Sequence, residues 1–186
     1  AYSDYISDDS PRSVFEIPRA KECAVEVRSF SKGYGFTGLR LGYSVIPDEQ
    51  KELNSLKKRL CGLETNGVSY ITQRGGLACL TSEGKAEMKK RVKYYKDNAA
   101  ILKSALRYAN LSYTDGNNSP YVFVKCPKGF TDGEFCAFLA EKRGIIATPG
   151  SGFYLKNEQY FRMAAFSPRQ TIFEAAKRLS ELNFTS

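Results

Sequence analysis

Residues 29–43 read Ser29-Phe30-Ser31-Lys32-Gly33-Tyr34-Gly35-Phe36-Thr37-Gly38-Leu39-Arg40-Leu41-Gly42-Tyr43. Gly33-x-Gly35-x-x-Gly38 has the spacing of a dinucleotide fingerprint. That fingerprint needs a strand, the glycines, and then a helix whose N-terminus holds a pyrophosphate. Here the alternation from Cys23 to Phe30 (CAVEVRSF) predicts a strand before the glycines. Leu39 to Ile46 (LRLGYSVI), however, predicts a second strand after them. The acidic residue required about 20 positions onward is replaced by Lys57 and Lys58. A Walker loop fails too, because Lys32 precedes the glycines instead of following them.

Reading the lysine as the reactive group accounts for more of the stretch. Lys32 stands at a strand end, between small hydroxyl residues and glycines. An amine that condenses with an aldehyde needs such a narrow loop. Two strands joined by a tight loop would bring Ser29, Lys32 and Arg40 to one point. Hydroxyls and a guanidinium suit a phosphate dianion. The combination is what pyridoxal 5'-phosphate requires.

The rest of the composition narrows the chemistry. The chain has 186 residues, no histidine and five cysteines: Cys23, Cys61, Cys79, Cys126 and Cys136. Without histidine it contains no Ser-His-Asp or Cys-His machinery, and most zinc sites are excluded. The cysteines are widely spaced without a CxxC pair, so core packing in a reducing, cytosolic interior is their expected job. No apolar run reaches the roughly 18 residues needed to span a membrane. The start, AYSDYISDDS, is polar and acidic rather than leader-like, and the chain is expected to be the C-terminal part of something longer. The formal net charge of +8 raises the case for a polyanion partner. The basic residues are nevertheless dispersed. The cluster Lys89, Lys90, Arg91, Lys93 and Lys96 is expected to be the solvated face of a long helix. Nucleic acid is therefore not the expected partner.

Along the chain, Asp48 is expected to cap a helix that Gly62 ends. Further helices are expected at Val68–Leu80 and Ser82–Ala109. Strands are expected at Tyr121–Lys125, Gly144–Thr148 and Tyr160–Phe166. Thr131-x-x-Glu134 is a capping box opening a helix that stops at Gly144. Ser167-Pro168-x-Gln170 is a second capping signal, followed by an apolar face of Ile172, Phe173, Ala176 and Leu179. Strands alternating with helices give an α/β or α+β fold. The texture changes near residue 110, which predicts two parts, 1–109 and 110–186.

Six blocks carry a resemblance: AYSDYISDDSPRSVFEIP, SFSKGYGFTGLRLGY, TNGVSYITQRGGLACLTSEG, NSPYVFVKCP, TPGSGF and FRMAAFSPR. In order across nearly the whole chain, they resemble the class I/II aminotransferases of fold type I. The resemblance implies an α/β fold, the C-terminal part of a fold type I transferase: residues 1–109 from the large cofactor domain and 110–186 the small α/β domain. It implies pyridoxal 5'-phosphate as cofactor, with Lys32 as Schiff-base lysine and proton shuttle. Ser29, Ser31 and Arg40 would hold the phosphate, and Tyr2 would hydrogen-bond the cofactor O3'. Arg162 would grip the substrate α-carboxylate, Asn66 would contact substrate, and Thr148–Phe153 would be a loop near the mouth of the site. The blocks most resemble a branch acting on LL-diaminopimelate and tetrahydrodipicolinate with 2-oxoglutarate and glutamate, in lysine biosynthesis. Amino-acid and 2-oxo-acid substrates, a homodimer when intact, and a cytoplasmic or plastid setting follow as implications. The family's aspartate at the pyridine nitrogen would precede Ala1, and Tyr70 stands where an asparagine is usual. A truncated chain is expected to be inactive alone. Other fold type I chemistry such as β-elimination, a basic binding module and a degenerate pseudo-enzyme stay open as alternatives.

Overall fold

Strands β1 (Glu26–Ser29) and β2 (Gly42–Val45) form an antiparallel hairpin, with Glu26 opposite Val45 and Ser29 opposite Gly42. The structure, a computed structural model, describes residues 1–64, 66–114, 116–153 and 159–184. Thr65, the first residue of the TNGVS block, lies outside them. The chain divides into two units, Ala1–Val92 and Lys93–Ser186.

In the first unit both hairpin strands are shorter than their alternation suggested. Ala20–Cys23 forms a one-turn helix (α1), because Ala20, Lys21 and Glu22 are good helix formers. Helix α2 (Lys51–Glu64) follows a 3-10 turn, Asp48–Gln50. Asp48 does not cap it: Pro47 holds the cap position and no side chain caps the turn. Gly62 lies inside α2 rather than ending it. An exposed helical glycine costs only about 1 kcal/mol relative to alanine, too little to stop a formed helix. Helix α3 (Tyr70–Cys79) begins at Ser69, whose hydroxyl accepts from the Thr72 N–H at 3.2 Å. Gly76 lets Leu41 and Phe30 approach α3 closely; a β-carbon there would strike the Leu41 side chain.

Helix α4 (Ser82–Tyr108) continues from the first unit into the second. The sequence placed the boundary at 109/110, whereas the units divide at 92/93. The C-terminal part of α4 contributes Ala99, Leu102, Ala105 and Leu106 to the core of the second unit. On α4, Lys89, Lys90 and Lys93 are exposed as expected, with Lys90 paired to Glu87 and Lys93 to Asp97, whereas Lys96 is half-buried and Arg91 reaches the Tyr34 carbonyl.

The second unit carries an antiparallel sheet in the order β3 (Tyr121–Lys125), β5 (Tyr160–Ala164), β4 (Thr148–Pro149). Val122, Val124, Phe161 and Met163 point into the core, against Leu102, Leu106, Phe135, Leu139 and Leu179. Tyr121, Phe123 and Arg162 alternate onto the other face. Helix α5 (Asp132–Arg143) has the expected capping box of Thr131 and Glu134, and Gly144 ends it at φ 60°. Gly144–Ala147 is not strand. Pairing is confined to Thr148 and Pro149, and a proline offers the ladder no N–H. The strand expected over 160–166 stops at Ala164. Helix α6 (Arg169–Ser180) has Pro168 at its cap position without a side-chain cap, so the Ser167 signal does not operate. Ile172, Ala176 and Leu179 are buried, but Phe173 is half exposed, one residue round the helix from the buried stripe.

The cysteines divide. Cys126 is buried, Cys79 and Cys136 are partly buried, and Cys23 and Cys61 are exposed, so those two do no core packing. Among the described residues no helix is long and apolar enough to cross a membrane.

Candidate functional site

The hairpin tip is organised around Phe30. Its N–H donates to the Leu41 carbonyl at 3.1 Å, closing the hairpin. Its carbonyl accepts from the N–H groups of Tyr34 (3.2 Å) and Phe36 (3.1 Å). The Phe30 ring is buried, with the Tyr34 and Phe36 rings 5.1 and 5.8 Å away. A buried aromatic thus folds the loop back on itself and leaves Ser31–Gly33 as a turn, with Lys32 half-buried in it.

A run of hydrogen bonds links Ser29, Ser31 and Arg40 through Thr37. The Ser31 N–H donates to Ser29 Oγ at 3.1 Å. Thr37 Oγ1 donates to the Ser31 carbonyl at 3.0 Å, and Arg40 Nη1 donates to the Thr37 carbonyl at 2.9 Å. Arg40 itself takes the left-handed conformation, φ 56°. Ser29, at the end of β1, is thus linked to Ser31 and Arg40, and Lys32 follows Ser31 in the turn.

Tyr2 reaches this loop through Tyr5. Their rings meet edge to face at 6.4 Å, and the fully buried Tyr5 donates its hydroxyl to the Lys32 carbonyl at 3.3 Å. Two glycines let neighbours press against the loop. A β-carbon on Gly33 would strike the Asp4 carboxylate; one on Gly35, at φ 76°, would strike the Arg91 guanidinium. Arg91 Nη1 donates to the Tyr34 carbonyl at 3.2 Å. Burial pushes the Asp4 carboxyl above its ordinary value, partly offset by Arg28. Tyr5, Asp4 and Arg91 carry no local signal in the sequence. Their part depends on contacts made only when the chain folds.

From Val27 to Pro47 there is no acidic residue, while Arg28, Lys32 and Arg40 are cationic. Two hydroxyls, a guanidinium and an amine on one narrow loop form a donor set that fits a phosphorylated aldehyde. The residues present thus fit pyridoxal phosphate. Among the described residues no cluster of His, Cys, Asp and Glu could hold a metal ion.

Arg162 belongs to the second unit. On the central strand it lies opposite Phe123 on one side and Thr148 on the other. Its Cζ is 4.2 Å from the Tyr121 ring centroid and 4.5 Å from that of Phe153, within cation–π range. Its Nε is buried without a hydrogen-bond partner among the described residues. Phe153 closes a 3-10 turn, Gly150–Phe153, after β4; this is the loop picked out in the sequence. Asn66 is exposed between α2 and α3, and no described contact ties it to the hairpin. Tyr121 and Phe153 were missed as partners of Arg162, although both lie in or beside the quoted blocks.

Residues 1–179 match the aminotransferase class I and II family. An LL-diaminopimelate aminotransferase of Prochlorococcus marinus (strain NATL1A) is 44% identical over 191 residues, covering 98% of this chain and 47% of that protein. One from Agathobacter rectalis is 42% identical over 187 residues, covering 98% and 46%. The solved L,L-diaminopimelate aminotransferase from Chlamydomonas reinhardtii superposes with a TM-score of 0.89 at 41% identity, over 97% of this chain and 46% of that one. The chain spans about half the length of the curated relatives it matches. The α/β fold is that of the fold type I structures over the matched part.

Proposed function

The chain belongs to the class I and II aminotransferase family, and we propose that it supplies the lysine-bearing portion of a pyridoxal-phosphate aminotransferase. Its amino-group exchange would link LL-diaminopimelate and tetrahydrodipicolinate with 2-oxoglutarate and glutamate, in lysine biosynthesis. The observation that carries this reading is the hairpin turn in which Ser29, Ser31 and Arg40 are linked through Thr37 and Lys32 follows Ser31, with no acidic residue between Val27 and Pro47. The choice of diaminopimelate is supported by the names of the relatives at 41–44% identity.

Each residue has a task in this reading. The Ser29 and Ser31 hydroxyls and the Arg40 guanidinium would hold the phosphate, Arg40 by a charge-assisted bond. The Lys32 amine would hold the cofactor aldehyde and, once freed, would take the proton from the substrate Cα. When bound, pyridoxal phosphate supplies the electron sink for breaking that Cα–H bond. Tyr2 donates to the cofactor O3'. Arg162, fixed by ring faces with its Nε unsatisfied, offers a planar fork to the substrate α-carboxylate. Asn66 contacts the substrate. The intact protein acts as a homodimer, in the cytoplasm or plastid stroma.

The test is amino transfer by protein purified from its natural source. Glutamate formed from LL-diaminopimelate and 2-oxoglutarate, in preference to aspartate or phenylalanine as donor, supports the reading. Absence of transfer from LL-diaminopimelate overturns the substrate. Absence of transfer from any amino acid overturns the activity.

A further inference from the structure

We propose that Asp132 is a positioning residue for Arg162: it tethers the Gly150–Phe153 turn and so keeps the Phe153 ring against the guanidinium. The inference rests on the reading of Arg162 as the carboxylate-binding group.

Asp132 is the first residue of α5, where its carboxylate accepts from backbone N–H groups of the helix start as well as from Ser151. Thr131 and Glu134 already form a reciprocal capping box there. The Asp132 side chain is 2% exposed, and Oδ2 accepts from the Ser151 N–H at 2.7 Å. That bond, first among several from backbone N–H groups, holds the carboxyl below its usual range despite burial. Burying a carboxylate is unfavourable unless hydrogen bonds compensate, so the arrangement is specific. Ser151 begins the link from this anchor to Phe153, two residues on. The Phe153 ring lies 4.5 Å from Arg162 Cζ and 5.7 Å from the Phe123 ring. Phe123 is directly opposite Arg162 across the strand pair. Thus one buried bond fixes the turn, the turn fixes a ring, and the ring limits where the guanidinium points.

Among the described residues no carboxylate pairs with Arg162. Ring faces and strand register hold it among the described residues. A cation held flat on aromatic faces loses less freedom when it forms a bidentate pair. Releasing the turn therefore weakens carboxylate binding without removing the arginine.

The test uses the full 186-residue chain, following the Arg162 Nε–Hε NMR cross-peak, assigned with Arg162→Lys, as 2-oxoglutarate is added. Asp132→Asn and Ser151→Pro, which deletes the N–H donor on an exposed residue, should each shift the ligand-free cross-peak and weaken binding about fivefold to tenfold. Thr131→Ala, which removes only the cap, should do neither. In enzyme purified from its natural source and in its Asp132→Asn variant, the variant's KM should rise by the same factor with kcat held. If Arg162→Lys abolishes binding while Asp132→Asn and Ser151→Pro bind as the parent does, the tether is overturned and the Arg162 reading stands. If Arg162→Lys in the enzyme purified from its natural source keeps the parent's KM for 2-oxoglutarate, the Arg162 reading fails and the inference with it.

Discussion

Gly35→Ala tests whether the glycines of the hairpin serve its backbone rather than a nucleotide. Gly35 sits at φ 76°, and a β-carbon there would strike the Arg91 guanidinium. The left-handed conformation costs an L-residue about 1–2 kcal/mol. Displacing Arg91 from the Tyr34 carbonyl adds about 1 kcal/mol for the lost hydrogen bond. Restricting the unfolded chain returns roughly 0.5 kcal/mol, leaving a net destabilisation of about 2 kcal/mol. The assay is native-state hydrogen exchange at the Phe30 and Phe36 amides, both bonded within the loop. Loosening by that amount should speed their exchange about thirtyfold. Gly38 is the control, since nothing lies within 4 Å of a β-carbon there and its φ is not in the left-handed range. Gly38→Ala should change the same amides by less than about threefold. Equal effects of the two substitutions would refute the reasoning.

Phe135 is fully buried among the rings of Phe130, Phe138, Phe161 and Phe184, so Phe135→Ala should destabilise the second unit by about 3–5 kcal/mol in urea unfolding. A loss below about 1.5 kcal/mol would mean that the cavity collapses freely. The folded Asp132 carboxyl titrates below the ordinary 3.8, so its stabilisation is fully present above that value and is lost as pH falls through the lower folded one. Asp132→Asn should remove this part of the acid-side slope; Cys126 and Cys136, the titratable groups beside it, are uncharged there. Burial pushes the thiols of Cys126 and Cys136 up to about 11, so at pH 8 iodoacetamide should label exposed Cys23 and Cys61 first and those two last, by peptide mass spectrometry.

What could be read from the sequence was the part held by local bonds. Thr131, Glu134 and Gly144 predict both ends of α5, because a capping box and a left-handed glycine act within one turn. The closeness of Ser29, Ser31, Lys32 and Arg40 along the hairpin was also readable, because they lie within twelve residues of one another. Asp48 and Gly62 misled because a capping residue type and a helical glycine are weak signals: the first turn is 3-10, and one glycine does not end α2. Phe173 was placed on the apolar stripe by its chemistry, but it lies a residue away from the buried positions. The setting of Arg162 was hidden for another reason. Tyr121, Phe153 and Asp132 reach it through strand register and a tethered turn, contacts that no spacing in the chain encodes. Tyr5 joins Tyr2 to Lys32 in the same non-local way.

The central claim is that Lys32 carries the cofactor. The most direct measurement is borohydride reduction of the protein purified from its natural source, followed by digestion and mass spectrometry of the peptide containing Lys32. The account predicts a phosphopyridoxyl group on Lys32, with the other lysines unmodified. An unmodified Lys32, or a label spread evenly over surface lysines, would contradict it.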